Sequence, residues 1–249
     1  MTPLKKAEAA ASDVVFKDVG RKKKAYEEVV NQIREEIFSG GLRLNQRLPT
    51  ERNMADQFGV SRVVIREAIR ALELTGFVTV KKGAGGGTFV AQDFERPIED
   101  SLANLLAGGE VSLENLFEVR ITIESVAAAR AAERGTDEEF AVLQALIDEA
   151  VEESAKGTNI RPYNIRFHRL ILRMAHNPLL SLIGETVLSI LSRNISSLVS
   201  PETSLKVLES HQALTQAITN RNSDLARKLA AKEIESLGVL FSQISRGGQ

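Results

Sequence analysis

Cysteine is absent from this chain, which removes both a disulfide framework and any thiolate metal site. Tryptophan is missing too. Histidine occurs three times, so imidazole chemistry is confined to His168, His176 and His211. No apolar run approaches the length of a membrane span, and the first fifteen residues, MTPLKKAEAAASDVV, lack the apolar core of a signal peptide. The expected address is the cytoplasm, with no membrane partner, and residues 1–15 read as a loose tail. There is no Cys nucleophile, no G-x-S-x-G and no H-E-x-x-H, so the chain is not read as an enzyme.

What remains is an ordinary globular composition with an uneven charge. The 249 residues, 43% of them hydrophobic, suffice for two modest cores. The net charge of -1 hides a division. Residues 1–92 carry 16 Lys+Arg against 11 Asp+Glu, a net of +5, whereas residues 93–249 carry 16 against 22, a net of -6. The first part would meet phosphate and the second would not. Arg21-Lys22-Lys23-Lys24 precedes the first expected helix and reads either as a contact to a duplex backbone or as a solvated arm.

The basic part contains two short helices joined by a glycine turn. Thr50 can cap a helix over Glu51 to Phe58, with Met54, Ala55 and Phe58 facing a core, and Gly59 breaks it. Ser61 caps a second helix that buries Val64, Ala68, Ile69 and Leu72 and stops at Gly76. Opposite that face, Arg62, Arg66 and Arg70 recur every four residues and form one guanidinium stripe. Arginine forks bond guanine edges as well as phosphates, and the start of such a helix reaches the bases, so Arg62, Val63 and Arg66 are candidates for base contact. Phe77 to Val80 alternates as a strand, Lys81 to Gly87 supplies a glycine-rich bend with Lys81 and Lys82 at its tip, and Thr88-Phe89-Val90 returns.

From Pro97 onward the chain reads as helix. Apolar residues recur at helical spacing over 98–107, 112–134, 136–155, 161–176, 178–200, 202–220 and 223–245, with Ser112, Thr136 followed by Glu139, and Asn177-Pro178 as starts. A seven-helix antiparallel bundle follows, with room for a polar site between facing helices. Asn164 and His168 lie four apart on one helix face, and Glu233 follows His211 by about six turns counted through a loop. Together, Asn164, His168, His211 and Glu233 could supply two imidazoles, a carboxylate and an amide oxygen to one divalent ion. The other reading is that each histidine is a satisfied core residue. His176, at a helix end, reads as a C-terminal cap.

Two stretches resemble a known family. The string P-x-E-x-x-x-A-x-x-F-G-V-S-R-x-x-x-R-E-A-I-x-x-L-x-x-x-G from Pro49 to Gly76, followed by G-x-G-x-F-V, resembles the winged helix-turn-helix of GntR-type bacterial regulators. Residues 113–237 resemble the FCD domain of that family's FadR-like branch, through L-F-E-V-R-x-x-x-E at 116–124, A-A-E-R-x-T at 131–136, F-H at 167–168, N-P at 177–178 and E-x-H-x-A-L-x-x-A-I at 209–218. The resemblance implies operator contacts by Arg52, Arg62 and Arg66, the Ser61 hydroxyl on a phosphate, and Lys82 and Gly83 in the minor groove. Val63 stands where a small polar residue is common. It also implies zinc, nickel or manganese in many such domains. Here Asn164 stands in place of the usual Asp ligand, and Glu233 falls where a third His is expected. The family senses small carboxylates, with an acyl-CoA-binding branch that lacks the metal. Arg120 matches a position that can hold an effector carboxylate, and equally stands i, i+4 from Glu124 as an ion-pair partner.

The expectation is a mostly α protein with a winged helix-turn-helix at 16–92 (three helices plus a two-stranded β-wing), a linker and connecting helix at 93–111, and an antiparallel all-helical effector-binding and dimerisation bundle at 112–246. It would act as a homodimeric regulator, a repressor of a catabolic operon, on palindromic double-stranded operator DNA. A metal-dependent enzyme carrying a DNA-binding head is the remote alternative.

Overall fold

The computed structural model describes residues 22–194 and 201–247, so the expected tail at 1–15 lies outside the described residues. The chain forms two compact units, one ending at Phe94 and one beginning at Glu95. Among the described residues there are ten helices and one two-stranded sheet, the mostly helical architecture expected from the sequence.

The first unit contains α1 (Lys22–Ser39), α2 (Glu51–Phe58), α3 (Arg62–Leu74), β1 (Val78–Lys81) and β2 (Gly87–Val90). Lys22 to Lys24 thus belong to the first turn of α1 rather than to an arm before it. Val29, Ile33 and Ile37 recur every four residues along α1 and are buried against Ile65, Ala68, Ile69 and Leu72 of α3. Ile65, which the apolar spacing passed over, is fully buried together with Ala68 and Leu72, while Val64 is only partly buried. Thr50 accepts from the Asn53 N–H and Ser61 from the Val64 N–H, so both expected caps form. Between them Gly59 takes the left-handed conformation (φ +64) that ends α2. Gly76 has a stricter role. At φ +81, a Cβ there would sit 2.0 Å from the Asp93 carbonyl oxygen, so the turn from α3 into β1 admits no side chain.

The wing is an antiparallel pair with Val78 opposite Val90 and Lys81 opposite Gly87. Val78 and Val90 turn into the core. The extended lead-in before α2 joins this sheet: Arg47 bridges Phe89, the Leu48 N–H donates to the Thr88 carbonyl, and the Val90 N–H donates to that of Gln46. Both sides of β2 are therefore occupied.

The second unit consists of α4 (Glu95–Ala107), α5 (Leu113–Arg134), α6 (Asp137–Ala155), α7 (Arg161–Met174), α8 (Pro178–Asn194), α9 (Pro201–Thr219) and α10 (Ser223–Gly247). Pro97 lies inside the first turn of α4 instead of preceding it, because the N–H it lacks would have no partner there in any case. Leu102 and Leu106 pack α4, which falls in the expected linker and connecting helix, onto the cluster around Leu116, Ile190 and Ile234. Capping boxes open α5 (Ser112 with Asn115) and α6 (Thr136 with Glu139). Asn177 accepts from the N–H groups of Leu179 and Leu180 at the start of α8. Helix α5 is central, packing on α7, α8, α9 and α10. Its buried Ala127, Ala128, Ala131 and Ala132 let neighbouring backbones come close, and Phe167, Leu172 and Ile218 fill the space left. His176 adopts φ +48 just beyond α7, with Nε2 3.0 Å from Glu139 Oε2, so it joins the end of one helix to the cap of another.

Candidate functional site

The first unit presents one basic face. Arg62, Arg66 and Arg70 are exposed along α3, and Val63 beside them is 65% exposed, an apolar side chain left in solvent next to the guanidinium stripe. The arginines are not loose. Glu51 Oε2, from the first turn of α2, lies 2.8 Å from Arg66 Nε and 3.7 Å from Arg62 Nη2, and Arg70 pairs with Glu67 at 3.0 Å. One carboxylate thereby lies between two guanidinium groups, both of which remain more than half exposed. Arg52 and Ser61 are exposed, although the Ser61 Oγ already accepts from its own helix. At the wing, Lys81 is the last residue of β1 and not part of the tip as expected, and its Nζ lies 5.0 Å from the Phe89 ring. Lys82 and Gly83 (φ +96) form the exposed turn. Arg47, not singled out from the sequence, donates from Nη2 to the Gly86 carbonyl at 2.5 Å and holds the wing in place.

A second polar site is buried inside the bundle. Five charged or ionisable side chains from four helices form a chain there, each at least nine-tenths buried: Arg120 and Glu124 of α5, His168 of α7, His211 of α9 and Glu233 of α10. Arg120 Nε donates to Glu124 Oε1 at 2.6 Å, so the i, i+4 pair forms. The other Glu124 oxygen lies 2.7 Å from His168 Nδ1. On the far side of that ring, Nε2 stands 3.3 Å from Glu233 Oε1 without hydrogen-bonding geometry, and the same oxygen is 3.0 Å from His211 Nε2. Phe167 stacks on His211 with ring centroids 3.9 Å apart. Donor atoms of His168, His211 and Glu233 all lie within 4.8 Å of one another.

Burial alone would raise both carboxyls. The charges of Arg120 and His168 outweigh it at Glu124 and bring that group down to about 2, and the two imidazoles hold Glu233 well below the usual carboxylate range. Burial also works against a charged His168, but Glu124 prevails and raises it to about 9. For His211 burial wins, and its pKa is lowered.

These residues fit a divalent cation. Two imidazoles and a carboxylate form a three-ligand set with open positions, and His168 Nε2 and Glu233 Oε2 are buried without a hydrogen-bond partner. Glu124 is the group that sequence reading placed only as a partner of Arg120. Its contact with Nδ1 fixes the tautomer that leaves Nε2 as the ligand atom, an arrangement common behind metal-bound histidine. Asn164, one turn before His168, is half-buried and lines an adjoining cavity together with Arg120 and His211.

Residues 25–90 match the model for "Bacterial regulatory proteins, gntR family", and residues 115–236 match that for the FCD domain. An Escherichia coli (strain K12) protein carrying the name of an L-lactate dehydrogenase operon regulatory protein is 31% identical over 212 residues, covering 81% of this chain and 80% of the relative. The galactonate operon transcriptional repressor of the same organism is 25% identical over 213 residues, covering 84% of this chain and 93% of the relative. The fold is shared with the Streptococcus agalactiae GntR structure at a TM-score of 0.59 and 23% identity, over 88% of this chain and 99% of that one. With both halves matched in this order, the chain belongs to the GntR family of bacterial regulators with a C-terminal FCD domain, and is a DNA-binding transcription regulator rather than an enzyme.

Proposed function

We propose that this regulator represses a catabolic operon and is released from its operator by a small carboxylate bound beside a divalent metal in the helical bundle. The observation that carries the reading is the convergence of His168, His211 and Glu233, with two of their buried polar atoms lacking hydrogen-bond partners, beside a cavity that His211 lines. Zinc, nickel or manganese suits such a donor set, and it would act there as an electrophilic anchor for an anion. Charge arithmetic supports an anionic effector. Arg120 and Glu124 cancel, and a divalent cation with Glu233 leaves one net positive charge in a buried site, which an effector carboxylate balances.

On the DNA side, Arg52, Arg62 and Arg66 bind phosphates and guanine edges, Ser61 and the Lys82–Gly83 turn contact the backbone and minor groove, and Val63 meets a base edge. A homodimer would present two copies of α3 about 34 Å apart, one helical turn, to a palindrome. To release the operator, the effector must favour the non-binding arrangement by several kcal/mol. Duplexes selected from a random library by the purified protein test this reading. The expected product is a two-fold-symmetric site bound by two chains, with affinity that changes on removing and restoring zinc. Selection of an asymmetric site bound by one chain would contradict it.

A further inference from the structure

Val63 is the second residue of α3, and from Arg62 to Arg70 it is the one exposed residue that carries no charge. Ile65, Ala68 and Ile69 of the same stretch are buried, Val64 is partly buried, and Arg62, Arg66, Glu67 and Arg70 make up the rest of the outward surface. Val63, Arg66, Glu67 and Arg70 stand at i, i+3, i+4 and i+7 and share one face of the helix. Leu74, the other exposed aliphatic side chain of α3, lies eleven residues on, about 16 Å along the axis, beside the turn into β1. Val63 is therefore a single apolar group among guanidiniums, at the end of the helix that reaches base edges in a helix-turn-helix.

Nothing in the fold accounts for a valine at this place. A β-branched residue is a weaker helix former than alanine, and its isopropyl group gains no burial here. The same branching fixes χ1 in a helix, so the group is held ready and loses little freedom on contact, unlike the long side chains beside it. Its chemistry narrows what it can meet. An isopropyl group neither donates nor accepts, and against the N7, O6, N6 or N4 of a base it would strip water without replacing the lost hydrogen bond. The apolar group in the major groove is the C5-methyl of thymine. Distance supplies the register. Cβ atoms three residues apart on one helix face lie about 5–6 Å from each other, and successive bases rise about 3.4 Å, so the base under Val63 lies one or two pairs from the base under Arg66.

We propose that Val63 reads the C5-methyl group of a thymine in each half-site, one or two base pairs from the guanine that Arg66 holds, and sets operator specificity at that position. The inference rests on the reading above in which α3 enters the major groove, and it adds the chemical group that is recognised.

Anisotropy titration of the full chain with a duplex selected from a random library, each thymine replaced in turn by deoxyuracil, tests it. Uracil lacks only the methyl group and keeps the hydrogen-bonding edge of thymine. The expected result is one thymine per half-site, within two base pairs of a guanine, at which the replacement weakens binding about fourfold, the worth of one buried methyl group, and about sixteenfold when made in both half-sites. Val63→Ser, at an exposed position, should bind the thymine and uracil duplexes within about twofold of each other. Selected half-sites without thymine, uracil tolerated within about twofold at every thymine, or the same loss in Val63→Ser would each overturn the assignment. If Arg66→Ala still weakens binding of that duplex, the reading of α3 as the recognition helix survives such a result. If Arg66→Ala binds as tightly as the native chain, the assignment and that reading fall together.

Discussion

Replacing Glu124 by glutamine removes one charge and almost no volume, and it strikes two interactions at once. In the native bundle this carboxylate takes Arg120 on one oxygen at 2.6 Å and His168 on the other at 2.7 Å, all three side chains being buried. Glutamine keeps one acceptor and turns its amide donors toward the other partner, so either the guanidinium or the imidazole loses its acceptor. Breaking one side of a buried ion pair costs about 3–5 kcal/mol, because the remaining charge is uncompensated. At about 2–4 °C per kcal/mol for a unit of 150–250 residues, the melting temperature should fall by roughly 6–20 °C. Loss of the group that orients His168 should also weaken zinc binding about 10–100-fold. Scanning calorimetry gives the first quantity and competition against a chromogenic chelator the second. A melting temperature within 2 °C of the native value, with unchanged zinc affinity, would refute the argument that Glu124 organises the centre.

Three further outcomes are expected. Arg66→Ala should weaken operator binding by about 1–3 kcal/mol, roughly 5- to 150-fold, without moving the melting temperature, and anisotropy titration with a selected duplex measures it. Glu139→Ala removes half of the capping box on α6 and the contact to His176, so it should cost about 1 kcal/mol and lower the melting temperature by a few degrees. Zinc affinity should rise with pH. Metal binding needs neutral His168, whose pKa in the metal-free protein is raised to about 9, so the apparent affinity should climb about tenfold per unit between pH 7 and 9 and flatten above. The same shift stabilises the metal-free fold fully below pH 6.5, and that contribution is lost as pH rises through about 9. A zinc affinity independent of pH would place the proton elsewhere.

Local signals in the sequence were legible because they act over three or four residues. Thr50, Ser61, Ser112 and Thr136 cap the helices their spacing indicated, and Gly59 and Gly76 end what they were expected to end. The same holds for the helical face shared by Asn164 and His168. Contacts between elements distant in sequence were not legible. Nothing in the spacing showed that Glu51 reaches across from α2 to Arg66, fifteen residues on, or that Arg47 closes on Gly86. Arg120 was read with two possible partners, and it meets Glu124 while still bordering the cavity. The contact of Glu124 with His168 is tertiary and had no signal in either stretch. Boundaries moved where a residue fits two environments: Pro97 inside a first turn, Lys22 to Lys24 within α1, and Lys81 in a strand rather than at the wing tip.

The central claim is that His168, His211 and Glu233 hold a divalent metal that anchors the effector. The most direct test is elemental analysis of the purified chain beside its His168→Ala and Glu233→Ala variants, before and after loading with zinc, nickel and manganese. The account predicts about one metal ion per native chain and loss of it in both variants. No metal bound to the native chain even after loading, in protein that remains folded, would contradict it.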